Sequence, residues 1–235
     1  MGNGMLVRDV ESAAKPNIEG VLFDFDGTLA DTLGSITDAV NLTMEHFGFP
    51  LKTEAQVRLA IGNGARLLAR RIAPPDQADD ETLVERIYEH YCASYEKTFI
   101  GCRHPYDGIP ELLFALKDKG IKLGVVSNKP DYMTQELCRS LFGSGFFDFV
   151  RGQTELPLKP DPAVLLAGAD AFGIDPSRCA MVGDGETDVK AAGRAGMLPI
   201  GVCWGYREKQ QLISAGEVIT VDTVEELARV LGVKL

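Results

Sequence analysis

The sequence predicts an α/β fold, a Rossmann-like parallel sheet core with an inserted α-helical unit, on three observations. Short apolar runs of strand length recur along the chain, each closing on polar or turn-forming residues. Amphipathic helical patterns separate these runs, the alternation that builds a parallel sheet. One long stretch between the first run and Tyr106 carries helical patterns without a strand. The 235 residues suffice for one large or two small domains, at about 150 residues per domain.

Residues 1–17 mix Arg8, Asp9, Glu11 and Lys15 with small residues and lack the apolar block of a secretory signal. They read as an N-terminal extension. Ile18 to Phe25 predicts a buried strand, with Asp24, Asp26 and Gly27 at its C-terminal end. Four helical patterns follow, Leu33 to Phe47, Glu54 to Ile61, Ala65 to Ile72 and Glu81 to Phe99. They predict a cap domain over residues 32–104, inserted into a core domain made of residues 18–31 and 105–235. Its hinges fall near Ala30 to Leu33 and His104 to Asp107, with Pro105 stiffening the return and Gly34 or Gly108 able to absorb a change of angle.

Beyond Tyr106 the sequence predicts strands at Ile121 to Asn128, Ala180 to Asp184 and Leu198 to Cys203. Helices are predicted at Ile109 to Lys119, Tyr132 to Leu141, Ala163 to Phe172 and Glu186 to Ala195, with Gly120, Gly173 and Gly196 at C-terminal caps. Right-handed crossovers place all strand C-termini on one edge, where open α/β sheets bind ligands. Four distant polar clusters should therefore converge.

Composition narrows the partners. Twenty-four basic against 34 acidic side chains give a net charge of −10, which opposes nucleic acid or an anionic membrane surface as partner. No apolar stretch approaches the roughly 18 residues of a transmembrane helix. The five cysteines, Cys92, Cys102, Cys138, Cys179 and Cys203, form no CxxC pair, so neither a disulfide framework nor a zinc site is indicated and a reducing cytoplasm fits.

Asp24 and Asp26 stand two positions apart past a buried strand, a pair suited to a hard divalent cation or to nucleophile and acid/base roles. A strand-to-turn cap is the bland alternative. Asp184 and Asp188 lie in Gly183-Asp-Gly-Glu-Thr-Asp, at another strand end leading into a helix. A dinucleotide reading of that segment fails where Asp188 replaces the third glycine, and Glu186 suits the helix dipole. In Ser127-Asn128-Lys129, Ser127 and Asn128 either hold anionic oxygens or cap a helix. Lys159, in a loop stiffened by Pro157 and Pro160, is either solvated or a point charge for phosphate.

Together these clusters resemble the four motifs of the haloacid dehalogenase superfamily, in order, over about Ile18 to Thr223. The helical insertion is similar to that family's C1 cap, and His104-Pro-Tyr-Asp-Gly-Ile to the family's return into the core. The resemblance implies a Mg²⁺-dependent phosphomonoester hydrolase, with Mn²⁺ as the other candidate ion. In it Asp24 is the nucleophile that forms an aspartyl phosphate, and Asp26 the general acid/base. Ser127, Asn128 and Lys159 bind phosphate; Asp24, the Asp26 carbonyl and Asp184 bind the metal, with Asp188 behind them. Asp26 also separates the chain from the superfamily's dehalogenases and phosphonatases, which lack it. Gly185 departs from the pattern, since relatives often carry Ser or Thr there.

The Gly62-Asn63-Gly64 loop and Gly201-Val-Cys-Trp204-Gly-Tyr206 look like the phosphoglycolate phosphatase branch, which implies 2-phosphoglycolate as substrate. A phosphatase of broad sugar-phosphate or nucleotide range, or a pyrophosphatase, is the runner-up; a β-phosphoglucomutase or an inactive phosphate-binding module ranks lower. In the cap, Gly62, Asn63, Gly64 and Arg66 are candidate specificity residues, with the Arg66 fork on a substrate carboxylate and Arg70 and Arg71 on a solvated face. Trp204 packs at a strand end or meets substrate, and Phe47, Phe49, Phe146 and Phe147 read as core. The partner expected is a small phosphomonoester, with monomer and homodimer both open.

Overall fold

The computed structural model describes residues 17–98 and 104–235. Nearly all of the N-terminal extension, Phe99 and Cys102 lie outside the described residues. Six strands form one sheet: β1 (Gly20–Phe23), β2 (Lys122–Pro130), β3 (Phe149–Gln153), β4 (Cys179–Gly183), β5 (Leu198–Val202) and β6 (Ile219–Val221). Their order is β3-β2-β1-β4-β5-β6, and every neighbouring pair is parallel. The chain runs outward from β1 to β3, then crosses back to β4 and runs outward the other way. That reversal makes the ends of β1 and β4 the topological switch point, where the crevice of such sheets opens.

Strand β1 is apolar at every position because both its faces are covered. Val21 and Phe23 face one apolar cluster and Leu22 the opposite one, the two-residue alternation of a pleated strand. Helices α5 (Ile109–Asp118), α6 (Asp131–Phe142) and α10 (Val224–Leu231) supply Leu112, Leu113, Leu137 and Leu227 to the first cluster. Helices α7 (Ala163–Phe172) and α8 (Glu186–Ala195) supply Leu165, Ala169, Ala191 and Ala192 to the second. Helix α9 (Lys209–Ala215) lies between β5 and β6 in the chain.

Four helices follow β1 in succession: α1 (Leu33–Phe47), α2 (Glu54–Ala60), α3 (Ala65–Ile72) and α4 (Glu81–Thr98). Helix α1 buries Ile36, Ala39, Val40, Thr43 and Met44, the spacing of one helical face. It ends at Gly48 in the left-handed conformation, φ 69°. Helix α2 begins with a capping box between Thr53 and Gln56. Helix α4 answers α1 with Val84, Ile87, Tyr91 and Tyr95. Where the chain leaves and regains the sheet, Ala30 pairs with Pro105 in an antiparallel bridge and Tyr106 N–H donates to Leu29 O at 3.0 Å.

The sheet is larger than the sequence predicts. Edge strand β3, Phe-Val-Arg-Gly-Gln, is half-buried without an apolar run, and β6 has 3 residues, so neither carries the pattern of a buried strand. Strand β2 runs on through Ser127, Asn128, Lys129 and Pro130. Helix α6 starts after Pro130 with no side-chain cap, so the helix-capping reading of Ser127 and Asn128 does not hold.

Candidate active site

The site lies at the C-terminal edge of β1, β2 and β4. Asp24 directly follows β1, and its N–H donates to Val182 O at 2.8 Å, which continues the β1–β4 pairing to the nucleophile candidate. Its Oδ1 is 3.0 Å from Lys159 Nζ. Lys159 is buried; its ammonium donates to Val126 O at 2.7 Å and stands 2.8 Å from Asp188 Oδ1. Burial alone would strip its proton, yet the carboxylates of Asp188 and Asp24 outweigh burial and raise the pKa, so Lys159 stays charged. Burial raises Asp24, and Asp188 adds to this by repulsion while Lys159 opposes it.

Asp184 ends the β4 segment. Its Oδ2 accepts Tyr206 N–H at 2.6 Å and its Oδ1 accepts Thr28 Oγ1 at 3.4 Å. A Cβ at residue 205 would lie 2.3 Å from Asp184 Cβ and 2.5 Å from Gly27 O, so only glycine lets these loops close around the carboxylate. Asp188 Oδ2 accepts Gly185 N–H at 3.0 Å at the start of α8.

Asp24, Asp184 and Asp188 offer oxygen atoms within 4.8 Å of one another. Burial, with repulsion from Asp24 and Asp188, pushes Asp184 up to about 8. Such a cluster repels itself, and Lys159 alone does not balance it. An all-oxygen donor set with excess negative charge fits a hard divalent cation.

Asp26 sits apart from that cluster. Its Oδ1 accepts Thr32 Oγ1 at 2.6 Å and lies 3.2 Å from Lys129 Nζ. Thr32 is in turn fixed by Tyr206, whose hydroxyl accepts Thr32 N–H at 2.8 Å. Burial raises the Tyr206 phenol, so it remains protonated. Lys129 donates to the Tyr95 hydroxyl of α4 at 2.8 Å.

A cleft of about 790 Å³, counting its open mouth, joins these groups to Gly62, Asn63 and Gly64 and to Ser127. Residues 18–196 match the family model for haloacid dehalogenase-like hydrolases.

The chain belongs to this family. It is 34% identical over 221 residues to the phosphoglycolate phosphatase of Rhodospirillum rubrum, covering 91% of each chain. It is 33% identical to that of Nitrosococcus oceani, over 91% of this chain and 96% of the other. The crystal structure of a predicted phosphoglycolate phosphatase from Haemophilus somnus superposes with a TM-score of 0.78 at 28% identity, over 91% of this chain and 98% of that one.

Within this haloacid dehalogenase-like hydrolase, Asp24, Asp26, Ser127, Lys159, Asp184 and Asp188 all line one cleft. Two expectations change. Asn128 lines the cleft too, but its amide is committed to main chain: Lys159 N–H donates to Oδ1 at 2.9 Å, and Nδ2 donates to Lys159 O at 2.9 Å and to Gly62 O at 3.4 Å. Asn128 positions Lys159 and the glycine loop, so the reading of its side chain as a phosphate holder is corrected. Arg66 does not line the cleft. Its guanidinium forks onto Glu85, lies 5.0 Å over the Tyr88 ring and is 55% exposed. Its helix turns it outward while Ala65 and Leu68 face the cleft.

Trp204 packs rather than binds: its indole donates to Thr28 O at 3.2 Å and its ring meets Tyr106 edge-on. The sequence motifs include Lys129 and Tyr206 without giving either a role of its own, and they do not reach Arg207. Arg207 donates to Arg58 O at 2.7 Å and Ile61 O at 2.5 Å and pairs with Glu186 at 3.4 Å. In return Arg58 donates to Tyr206 O at 2.7 Å and Gly205 O at 3.2 Å, tying α2 to the loop after β5.

Proposed function

We propose that this hydrolase is a divalent-metal-dependent phosphatase acting on 2-phosphoglycolate through an aspartyl-phosphate intermediate. The observation that carries the reading is the buried Lys159 ammonium held between Asp24 and Asp188, with Asp184 beside them, at the sheet's switch point. The relatives' names supply the substrate. In the first step an Asp24 carboxylate oxygen bonds to phosphorus while the ester bond breaks, and Asp26 gives its proton to the departing glycolate oxygen. In the second, water attacks that phosphorus, Asp26 takes its proton, and phosphate leaves Asp24 free.

Asp24, Asp184 and the Asp26 carbonyl would hold Mg²⁺ or Mn²⁺, with Asp188 behind them. The bound ion supplies positive charge against the carboxylates and the phosphoryl oxygens. Lys159 carries charge for the phosphoryl group. Ser127 Oγ accepts Lys129 N–H at 3.3 Å, which leaves its hydroxyl proton to donate to a phosphoryl oxygen. Asp26, tied to Thr32 and Lys129, is held at the leaving-group side.

We read helices α1–α4, residues 32–104, as a cap over a core of residues 18–31 and 105–235, excluding water while the leaving group is protonated. No helix among the described residues is long and apolar enough to cross a membrane. The four described cysteines are free thiols, and a reducing cytoplasm is the compartment we assign.

The test is phosphate release from 2-phosphoglycolate, sugar phosphates, nucleotides and pyrophosphate, with Mg²⁺ and with chelator. The expected result is metal-dependent turnover with the highest kcat/KM on 2-phosphoglycolate. Comparable rates across the panel would remove the substrate and leave the phosphatase; no turnover would remove both.

A further inference from the structure

With Arg66 turned outward, the cleft holds three cations among the described residues: Lys129, Lys159 and Arg207. Their commitments differ. Lys159 meets Val126 O, Asp24 and Asp188, which accounts for the three donors of an ammonium. Arg207 is spent on two main-chain carbonyls and Glu186. Lys129 is buried and meets two partners among the described residues, the Tyr95 hydroxyl at 2.8 Å and Asp26 at 3.2 Å. One donor remains, in a cleft whose other walls include Ile36, Tyr91 and Met133.

The position of Lys129 relative to the chemistry says what that donor meets. Asp26 is the group that protonates the departing oxygen, so that oxygen sits within hydrogen-bond reach of Asp26, and Lys129 is in contact with Asp26. A group one carbon beyond the departing oxygen lies within reach of the same ammonium. We infer that Lys129 is a substrate contact that selects leaving groups bearing an anion, a carboxylate, one carbon from the reacting oxygen. Tyr95 holds the ammonium there from α4, so the selecting charge is set jointly by core and helical insertion. The inference rests on the 2-phosphoglycolate reading and adds the residue that recognises its carboxylate.

The test is a ratio. kcat/KM is measured on 2-phosphoglycolate and on 2-hydroxyethyl phosphate, which replaces the carboxylate by a neutral hydroxymethyl group. Both values fall in Lys129→Met, since Asp26 loses a partner. The ratio also falls, by roughly 10- to 100-fold, the worth of a hydrogen bond to a charged group. Lys129→Arg restores part of the ratio. Tyr95→Phe lowers it in the same direction by less, and carries the test if Lys129→Met does not fold.

A ratio unchanged in Lys129→Met and Tyr95→Phe, beside a high wild-type ratio, overturns the role of Lys129 and leaves the substrate standing. A wild-type ratio near one overturns both.

Discussion

The side-chain amide of Asn128 and the main chain of Lys159 exchange two hydrogen bonds, N–H to Oδ1 and Nδ2 to O, each 2.9 Å long. The pair works like one more rung of sheet between the end of β2 and the loop that carries the buried Lys159 ammonium. Removing the amide leaves a buried N–H and a buried carbonyl without partners, at a cost of about 1–3 kcal/mol. Asn128→Ala should therefore lower both kcat and thermal stability, with Tm falling by about 2–10 °C. Calorimetry beside steady-state kinetics checks this; an unchanged Tm with a raised KM alone would return Asn128 to direct phosphate binding.

Arg66 is expected to be silent. Its fork is taken up by Glu85 on α4, and an exposed pair of this kind contributes little. Arg66→Ala should change kcat/KM on 2-phosphoglycolate by less than about twofold. A selective loss on that substrate would restore it as the carboxylate reader.

Asp184 shows a conflict between stability and function. Its pKa is pushed up from the ordinary carboxylate value to about 8 by burial and by Asp24 and Asp188. A raised carboxyl favours the folded state while protonated, so the metal-free protein loses stability as pH rises from about 4 through 8. Asp184→Asn removes that repulsion. It should raise the Tm of the chelator-treated protein at pH 8 while abolishing metal-dependent turnover. A lowered Tm in chelator would show that the carboxylate contributes more through Tyr206 N–H and Thr28 than it costs.

His90 gives the helical insertion a pH response of the opposite sense. Its ring stacks on His46 at 4.0 Å, and its Nδ1 is 3.2 Å from both Thr43 Oγ1 and Ser94 Oγ. Burial, with the charges of His46 and Lys97, lowers its pKa. The unfolded chain then binds the proton first, so this contribution to stability is full above about pH 6.5 and is lost as pH falls toward the folded pKa. Urea midpoints between pH 7.5 and 5 should fall less steeply in His90→Gln than in wild type. Equal slopes would remove His90 as the cause.

Much of this was legible because buried parallel strands and their polar ends leave local signals. β1, β2, β4 and β5 announce themselves as apolar runs, and Asp24, Lys159 and Asp184 stand in motifs whose spacing survives without the fold. β3 and β6 were not legible, since an edge strand with Arg151, Gly152 and Gln153 and a strand of three residues carry no burial pattern. The site residues that escaped depend on partners far along the chain: Tyr206 acts on Thr32 from 174 positions away, and Lys129 on Tyr95 from 34. Arg66 misled for the same reason. A basic residue beside a glycine loop looks aimed at a ligand until Glu85, 19 positions on, is seen to take it.

A covalent bond between Asp24 and the transferred phosphoryl group can be trapped. Wild-type protein with Mg²⁺ and ³²P-labelled 2-phosphoglycolate, quenched in acid within milliseconds, should carry label on the peptide containing Asp24. Asp24→Asn, folded by circular dichroism, should carry none and turn over no substrate. Label on another residue, or substantial turnover in Asp24→Asn, would exclude Asp24 as the nucleophile.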